Sequence, residues 1–164
     1  MSDRQGSISH LVDFLQNPTS FIPVLLVVGN FGAGKSWLLR KVATETRTRL
    51  VNVNRFLAEK IHPDTPEDAL GEHCAELYQD LLKDARTTPL LLDNLELLFQ
   101  FPHLNFVVEA EHQMKGRHGR LVLALPCKVR ADGVLLFDGQ DTFDLSVNSR
   151  MERVLVLHKE AKHA

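Results

Sequence analysis

Short hydrophobic runs alternate along this chain with segments in which apolar residues recur at helical spacing. The cores of three runs, at residues 24–28, 90–92 and 121–125, contain no polar residue. Runs of this kind are typical of strands buried on both faces of a parallel sheet. In all, we predict strands at residues 21–28, 50–53, 90–93, 121–125, 134–137 and 154–157.

The helical spacing predicts four helices, at about residues 8–17, 35–46, 65–86 and 104–114. The first precedes all the strands, and the other three lie between strands. Asn17 and Pro18 end the first, because the residue before a proline avoids the α conformation. Thr65 is predicted to cap the third, with Pro66 as its first residue. Strands that alternate with helices predict an α/β fold of three layers with a mainly parallel sheet.

Composition and charge indicate one compact globular domain over residues 1–164, with its core at about residues 21–158. The 164 residues include 44% hydrophobic and 24% charged side chains and carry a net charge of −2. Cys74 and Cys127 are too few for a disulfide framework and are expected to be reduced core thiols. No apolar run approaches the roughly 20 residues of a membrane span, and the N-terminus resembles no secretory signal, so we expect a cytoplasmic protein without membrane contact.

One segment has the pattern of a phosphate-binding loop. The first predicted strand ends in the motif G-x-x-x-x-G-K-[ST], and a predicted helix begins within it. The motif residues are Gly29, Asn30, Phe31, Gly32, Ala33, Gly34, Lys35 and Ser36. Glycines let backbone N–H groups wrap phosphates, Lys35 places an ammonium near the β- and γ-phosphates, and the Ser36 hydroxyl can coordinate Mg²⁺. The motif therefore predicts that a nucleoside triphosphate binds here with Mg²⁺, and ATP is the expected one.

A carboxylate that completes the magnesium site is expected at the end of a neighbouring strand. Asp93 follows the apolar run 90–92 and is the predicted second metal residue, after Ser36. Many ATPases have a glutamate directly after this aspartate, but the next residue here is Asn94. Glu96 is the nearest carboxylate and the candidate for activating water, although a solvated acid at a helix start explains it equally well. Slow hydrolysis, or binding without hydrolysis, is the resulting expectation.

Other residues have two interpretations each. Arg150 and Arg153 precede the last predicted strand, where a neighbouring protomer could use either as an arginine finger; solvent-facing arginines are the favoured alternative. Trp37 follows the loop and is expected to pack between helix and sheet rather than against a nucleotide. The eight histidines show no metal-binding spacing, so we interpret them as surface residues.

Charge is distributed unevenly in the second half of the chain. Residues 113–130 contain no acidic residue and five basic ones, which are Lys115, Arg117, Arg120, Lys128 and Arg130. Residues 131–145 contain four aspartates and no Lys or Arg. A solvated surface is the favoured interpretation, and the alternatives are a phosphate-facing arginine, a seam between subunits, or a modest nucleic-acid contact.

Together these motifs resemble the BrxF family, small P-loop proteins of type 3 BREX (bacteriophage exclusion) systems. The resemblance rests on residues 29–36 with Leu38-Leu39-Arg40 after them, on residues 50–54, and above all on residues 91–99, LLDNLELLF. It implies an AAA-like, ATP-binding core in a phage-defence assembly with a larger P-loop ATPase, a PglZ-type protein and a DNA methyltransferase. Gly34, Lys35, Ser36 and Asp93 take the nucleotide-binding roles, and homo-oligomers are also expected.

This sequence departs from the wider AAA pattern in ways that disfavour vigorous hydrolysis. Asn94 replaces the usual glutamate, Pro126 and Cys127 follow the predicted sensor strand, and no C-terminal helical lid is expected. Two other functions remain as alternatives. One is a small-molecule or nucleotide kinase with residues 115–120 as a lid, and the other is a DNA-binding accessory protein that uses the basic residues of 115–130.

Overall fold

A computed structural model of the chain describes residues 3–17, 23–30, 32–101, 104–117, 119–129, 135–137 and 154–158. In chain order its helices and strands are α1 (Asp3–Gln16), β1 (Val24–Val28), α2 (Lys35–Thr46), β2 (Arg49–Asn52), α3 (Val53–Lys60), α4 (Glu67–Ala85), β3 (Leu90–Asp93), a 3-10 helix (Glu96–Gln100), α5 (Phe106–Met114), β4 (Leu121–Leu125), β5 (Cys127–Val129), β6 (Leu135–Phe137) and β7 (Val154–Val156).

Five strands form a parallel sheet in the order β2-β3-β4-β1-β7. β4 lies between β1 and β3, and its residues pair with β1 from Val24 opposite Leu121 to Val28 opposite Leu125. All five carboxyl ends therefore lie at one edge of the sheet. β5 and β6 form a separate antiparallel pair. The prediction of a three-layer α/β fold with a mainly parallel sheet is confirmed.

Hydrophobic side chains cover both faces of this sheet. On one face, Leu25 and Val27 of β1 belong to the cluster that includes Leu11 of α1 and Leu39 of α2. On the other, alternate β1 residues join a cluster with α4 and α5, where the Tyr78 hydroxyl donates to the carbonyl of Phe106 at 2.6 Å. Burial on two faces explains why these strands lack polar alternation.

The boundaries differ from the predicted ones at several points. α1 begins at Asp3 rather than near residue 8, and Pro66 precedes α4 instead of forming its first turn. β2 ends at Asn52, because the Asn52 side chain accepts from the Arg55 N–H and starts α3 at Val53. Neither α3 nor the 3-10 helix was predicted, since both are short and lie directly after strands.

Cys74 and Cys127 are buried free thiols, as predicted. Burial raises the pKa of Cys127 to about 12, against a smaller opposite effect of Lys35. The thiol is therefore neutral and unreactive near pH 7. Among the described residues, no helix has both the length and the apolar character needed to cross a membrane.

Gly119 provides a test of the packing between β4 and α4. A Cβ at residue 119 would overlap the carbonyl oxygen of Ala85, at the end of α4, and Gly119 N–H donates to the Arg86 carbonyl at 3.1 Å. We expect Gly119→Ala to lower the free energy of unfolding by about 3 kcal/mol, because backbone must move. Urea denaturation measures the change.

Gly6→Ala is the matched control. A Cβ at Gly6 meets nothing within 4 Å, and the residue lies inside α1. Alanine should stabilise the chain there by about 0.5–1 kcal/mol through its helix propensity. Equal effects of the two substitutions would contradict the close packing at Gly119.

Candidate phosphate-binding site

The motif loop follows β1 at the carboxyl edge of the sheet. Gly32 and Gly34 have φ angles of 82° and 95°, in the left-handed region that side-chain-bearing residues avoid. Gly34 is the N-cap of α2 and supplies no side-chain capping bond, so the first N–H groups of that helix face outward. A Cβ at Gly29 would lie 2.8 Å from the Leu157 carbonyl oxygen, because the chain after β7 packs on the loop.

Lys35 is the first residue of α2 and is only 9% exposed. Its Nζ donates to the carbonyl of Gly29 at 2.7 Å and to that of Asn30 at 2.9 Å. Burial lowers the pKa of Lys35, while Asp93, Cys127 and Glu96 partly offset this by raising it. The loop thus folds around the ammonium group, and two carboxylates lie near enough to influence its charge.

A cleft of about 280 Å³ opens above this lysine. The loop, the carboxyl end of β3 and the carboxyl end of β4 contribute its walls, through Gly32, Gly34, Lys35, Ser36, Trp37, Asp93, Asn94, Glu96 and Pro126. Four residues of the predicted phosphate loop and both predicted acidic residues therefore meet at one place. Phe31, Arg150 and Arg153 lie outside the described residues.

The turn after β3 fixes the direction of Asp93. Its carboxylate accepts from the N–H of Asn94 at 2.9 Å. Asn94 has a φ of 55°, a left-handed conformation that asparagine tolerates better than most residues. This turn leads the chain from the sheet edge into the 3-10 helix, and it keeps the Asp93 side chain largely buried beside the cleft.

Asn54, in the first turn of α3, binds this turn at three points. Its N–H donates to the Asn94 carbonyl at 2.9 Å, its side-chain Nδ2 donates to Glu96 Oε2 at 3.0 Å, and its Oδ1 accepts from the Leu97 N–H at 2.9 Å. Asn54 is not among the residues that the sequence predicts for the site. Its place just after a predicted strand was the signal, because parallel strands bring such residues to the edge that carries Asp93.

The residues present fit a nucleoside triphosphate with Mg²⁺. The left-handed glycines and the start of α2 form a concave backbone surface of the kind that binds phosphates. Asn30 Oδ1 is buried, and no partner for it occurs among the described residues. No group of three His, Cys, Asp or Glu side chains in the described ranges could hold a metal alone. A magnesium ion would therefore need phosphate oxygens in addition to Ser36 and Asp93.

Trp37 does not pack between helix and sheet as expected. It is 40% exposed, lines the cleft, and has the Arg4 guanidinium 5.2 Å from its ring centroid. Lys35 points toward the loop carbonyls, and residue 37 lies two positions further along the same helix, about 200° around its axis. The Trp37 side chain therefore turns outward, beside Arg4 of α1.

The basic residues between 115 and 130 do not form one surface. Arg120 is buried, donates to the carbonyls of Gly119 and Asn17, and lies over the Phe14 ring. Lys115 and Arg117 precede β4, whereas Lys128 follows it, so the length of a buried strand separates them. Arg130 lies outside the described residues.

The position of residues 115–120, directly before β4, counts against a kinase lid there. These residues precede Leu121, which pairs with Val24 at the start of β1, while the phosphate loop follows Val28 at its end. At about 3.3 Å per residue, the lid would be roughly 13 Å or more from the loop. The expectation of a lid over the phosphates is therefore wrong.

By sequence, no family model and no curated protein matches this chain. By structure, it is similar to domain III of the replication initiation protein DnaA from Thermotoga maritima, with a TM-score of 0.57 and 17% identity over 94% of this chain and 62% of that one. The FIGL-1 AAA domain in complex with ADP matches at a TM-score of 0.52 and 15% identity, over 96% and 53% of the two chains. C. elegans PCH-2 matches at a TM-score of 0.51 and 13% identity, over 94% of this chain and 42% of that one.

These similarities show the fold. The chain has the fold of an AAA-type P-loop ATPase domain, and it spans 42–62% of the length of the three chains it matches. The predicted P-loop core of AAA-like type is therefore confirmed at the level of architecture.

The contacts of Asn54 can be measured through stability. Asn54→Ala removes one hydrogen bond to Glu96 and one to the Leu97 N–H, so we expect a loss of about 1–3 kcal/mol in the free energy of unfolding. A double-mutant cycle with Glu96→Ala, followed by urea denaturation, isolates the coupling between the Asn54 and Glu96 side chains. Additive effects of the two substitutions would contradict the contact between Asn54 and Glu96.

Proposed function

We propose that this chain binds ATP with Mg²⁺ and acts as a slow ATPase or as an assembly switch set by its nucleotide state. One observation carries the proposal: the phosphate loop, Lys35, Ser36 and Asp93 line a single cleft at the carboxyl edge of the sheet. Backbone N–H groups and Lys35 would bind the phosphates, and Ser36 and Asp93 would hold the metal. Bound Mg²⁺ would neutralise charge on the phosphate oxygens.

Adenine nucleotide is the proposed ligand class. The FIGL-1 AAA domain, which shares the fold, was solved with ADP, and this supports the choice without showing it for this chain. The exposed indole of Trp37 beside the loop offers an apolar surface at the cleft. Its fluorescence should report binding.

Slow turnover follows from the groups around the expected position of the attacking water. Asn94, where many ATPases have a glutamate, cannot accept a proton as a base. Glu96 can, but its Oε2 accepts a hydrogen bond from Asn54, which directs the carboxylate toward α3. Pro126, after β4, offers no side-chain donor to orient water. The binding apparatus is thus more complete than the hydrolytic one.

The resemblance of residues 91–99 to the BrxF family supports a role in BREX phage defence. In this proposal the nucleotide state controls association with further copies of the chain or with the BREX partners, namely the larger P-loop ATPase, the PglZ-type protein and the DNA methyltransferase. Arg150 or Arg153 remains the proposed finger that one protomer would supply to another.

Lys35→Ala tests nucleotide binding. Removing the ammonium should weaken ATP affinity about a hundredfold, because a charge-assisted hydrogen bond contributes about 1.5–3 kcal/mol. Titration with ATP and Mg²⁺, followed by Trp37 fluorescence and by calorimetry, measures the affinity. Lys41→Ala, on the exposed side of the same helix, is the control and should bind as the parent chain does.

The outcome that contradicts this proposal is equal affinity in Lys35→Ala and Lys41→Ala. Light scattering with and without ATP, on the same samples, tests the switch. In a host that carries a type 3 BREX system, only Lys35→Ala should lose restriction of phage. Retained restriction would contradict the proposed role of nucleotide in defence.

Glu96→Gln tests the source of any hydrolysis. If Glu96 activates water, phosphate release should fall about a hundredfold while ATP affinity stays within about twofold. Glu45→Gln, at an exposed position of α2, is the control. Unchanged release in Glu96→Gln would show that another group, or none, acts as the base.

A further inference from the structure

A second groove runs along the free edge of the sheet. β2 is the outermost strand of the described sheet, and its outer side pairs with no other described strand. The groove beside it has a volume of about 440 Å³, with α2 on one side and α3 on the other. At one end it includes Asp93 and Asn94, so it adjoins the nucleotide cleft.

Three arginines, each from a different element, line this groove. Arg40 comes from α2, Arg49 from β2 and Arg55 from α3. Arg49 pairs with Asp84 at 3.1 Å, but both side chains are more than half exposed, so the pair contributes little and can exchange for another anion. For Arg40 and Arg55 the described part of the chain provides no acidic partner within 4 Å. Glu59 and Asp93 are the acidic residues in the lining.

An aromatic ring lies among these cations. Phe56, next to Arg55 in α3, lines the groove and is half-buried, and the Lys60 ammonium lies 5.2 Å from its ring centroid. Asn52 adds an exposed polar side chain at the end of β2. Arginines spaced along a groove, with an aromatic face between them, are the features that bind the backbone and bases of single-stranded nucleic acids.

We propose that this groove binds a single strand of nucleic acid, with Arg40, Arg49 and Arg55 on its phosphates and a base stacked on Phe56. An acidic peptide would satisfy the arginines equally, but its carboxylates gain nothing from the ring. A duplex keeps its bases stacked on one another, so its bases cannot reach Phe56. This site differs from the basic residues at 115–130, which the fold separates.

The experiment measures fluorescence anisotropy of a labelled deoxythymidine oligonucleotide of about 15 residues, without ATP, at salt concentrations from about 50 to about 200 mM. Each phosphate contact contributes about 0.7 to the slope of log Kd against log salt. Arg40→Gln combined with Arg55→Gln should weaken binding about tenfold at low salt and lower that slope by about 1.4. Phe56→Leu should weaken binding several-fold and leave the slope unchanged.

Lys115→Gln combined with Arg117→Gln is the matched control, because it removes two exposed charges at the other end of the sheet. It should bind the oligonucleotide as the parent chain does. The groove variants and the control variant should keep their ATP affinity, which verifies their folding. Lys35→Ala should keep oligonucleotide binding, so that loss of one activity is distinguishable from loss of the other.

Three results would overturn the proposal. The first is no binding of the oligonucleotide at about 50 mM salt. The second is equal weakening by the groove variant and by the control variant. The third is tighter binding of a polyglutamate peptide than of the oligonucleotide, with no effect of Phe56→Leu, which would identify an acidic protein segment as the ligand.

Discussion

The structure depends on how the buried ammonium of Lys35 is accommodated. A cation removed from water is costly unless oxygen atoms surround it, and the carbonyls of Gly29 and Asn30 supply two at 2.7 and 2.9 Å. The loop must therefore curve back over its own lysine, which requires left-handed residues at Gly32 and Gly34. The same curvature leaves a concave backbone surface on the outer side. The partners of the lysine and the concave surface of the loop thus have one structural cause.

Sheet order determines what faces that surface. β4 lies between β1 and β3, so the Asp93 side chain stands one strand away from the loop rather than directly beside it. The intervening space is the cleft, and Pro126, which follows β4, is among the residues that line it. Because the strands are parallel, every polar residue that directly follows one of them is brought to this edge. Asn54 is there for the same reason as Asp93, although 39 residues of sequence separate them.

Much of this arrangement could be predicted from the sequence. Uninterrupted apolar runs identified the buried strands, and the loop motif with Asp93 identified the residues that meet in the cleft. Two kinds of feature could not be predicted. One is a residue for which a strand and a helix compete, and the other is a residue whose position depends on contacts with distant parts of the chain. Val53 looks like the end of a strand, but capping by Asn52 makes it the start of a helix. Arg120 looks like part of a basic surface, but the carbonyl of Asn17 and the ring of Phe14 hold it inside. The Trp37 side chain turns outward because Lys35 turns inward at the start of the same helix.

α3 connects the cleft and the groove physically. Asn54 in its first turn holds Asn94, Glu96 and Leu97, and the next two residues, Arg55 and Phe56, form one wall of the groove. The three residues are consecutive in one helix, so the backbone that places Asn54 also places Arg55 and Phe56. Glu96, which lines the cleft and accepts a hydrogen bond from Asn54, is therefore positioned by the same helix that lines the groove. The cleft and the groove are thus connected through three consecutive residues of α3, without a chain of intermediate contacts.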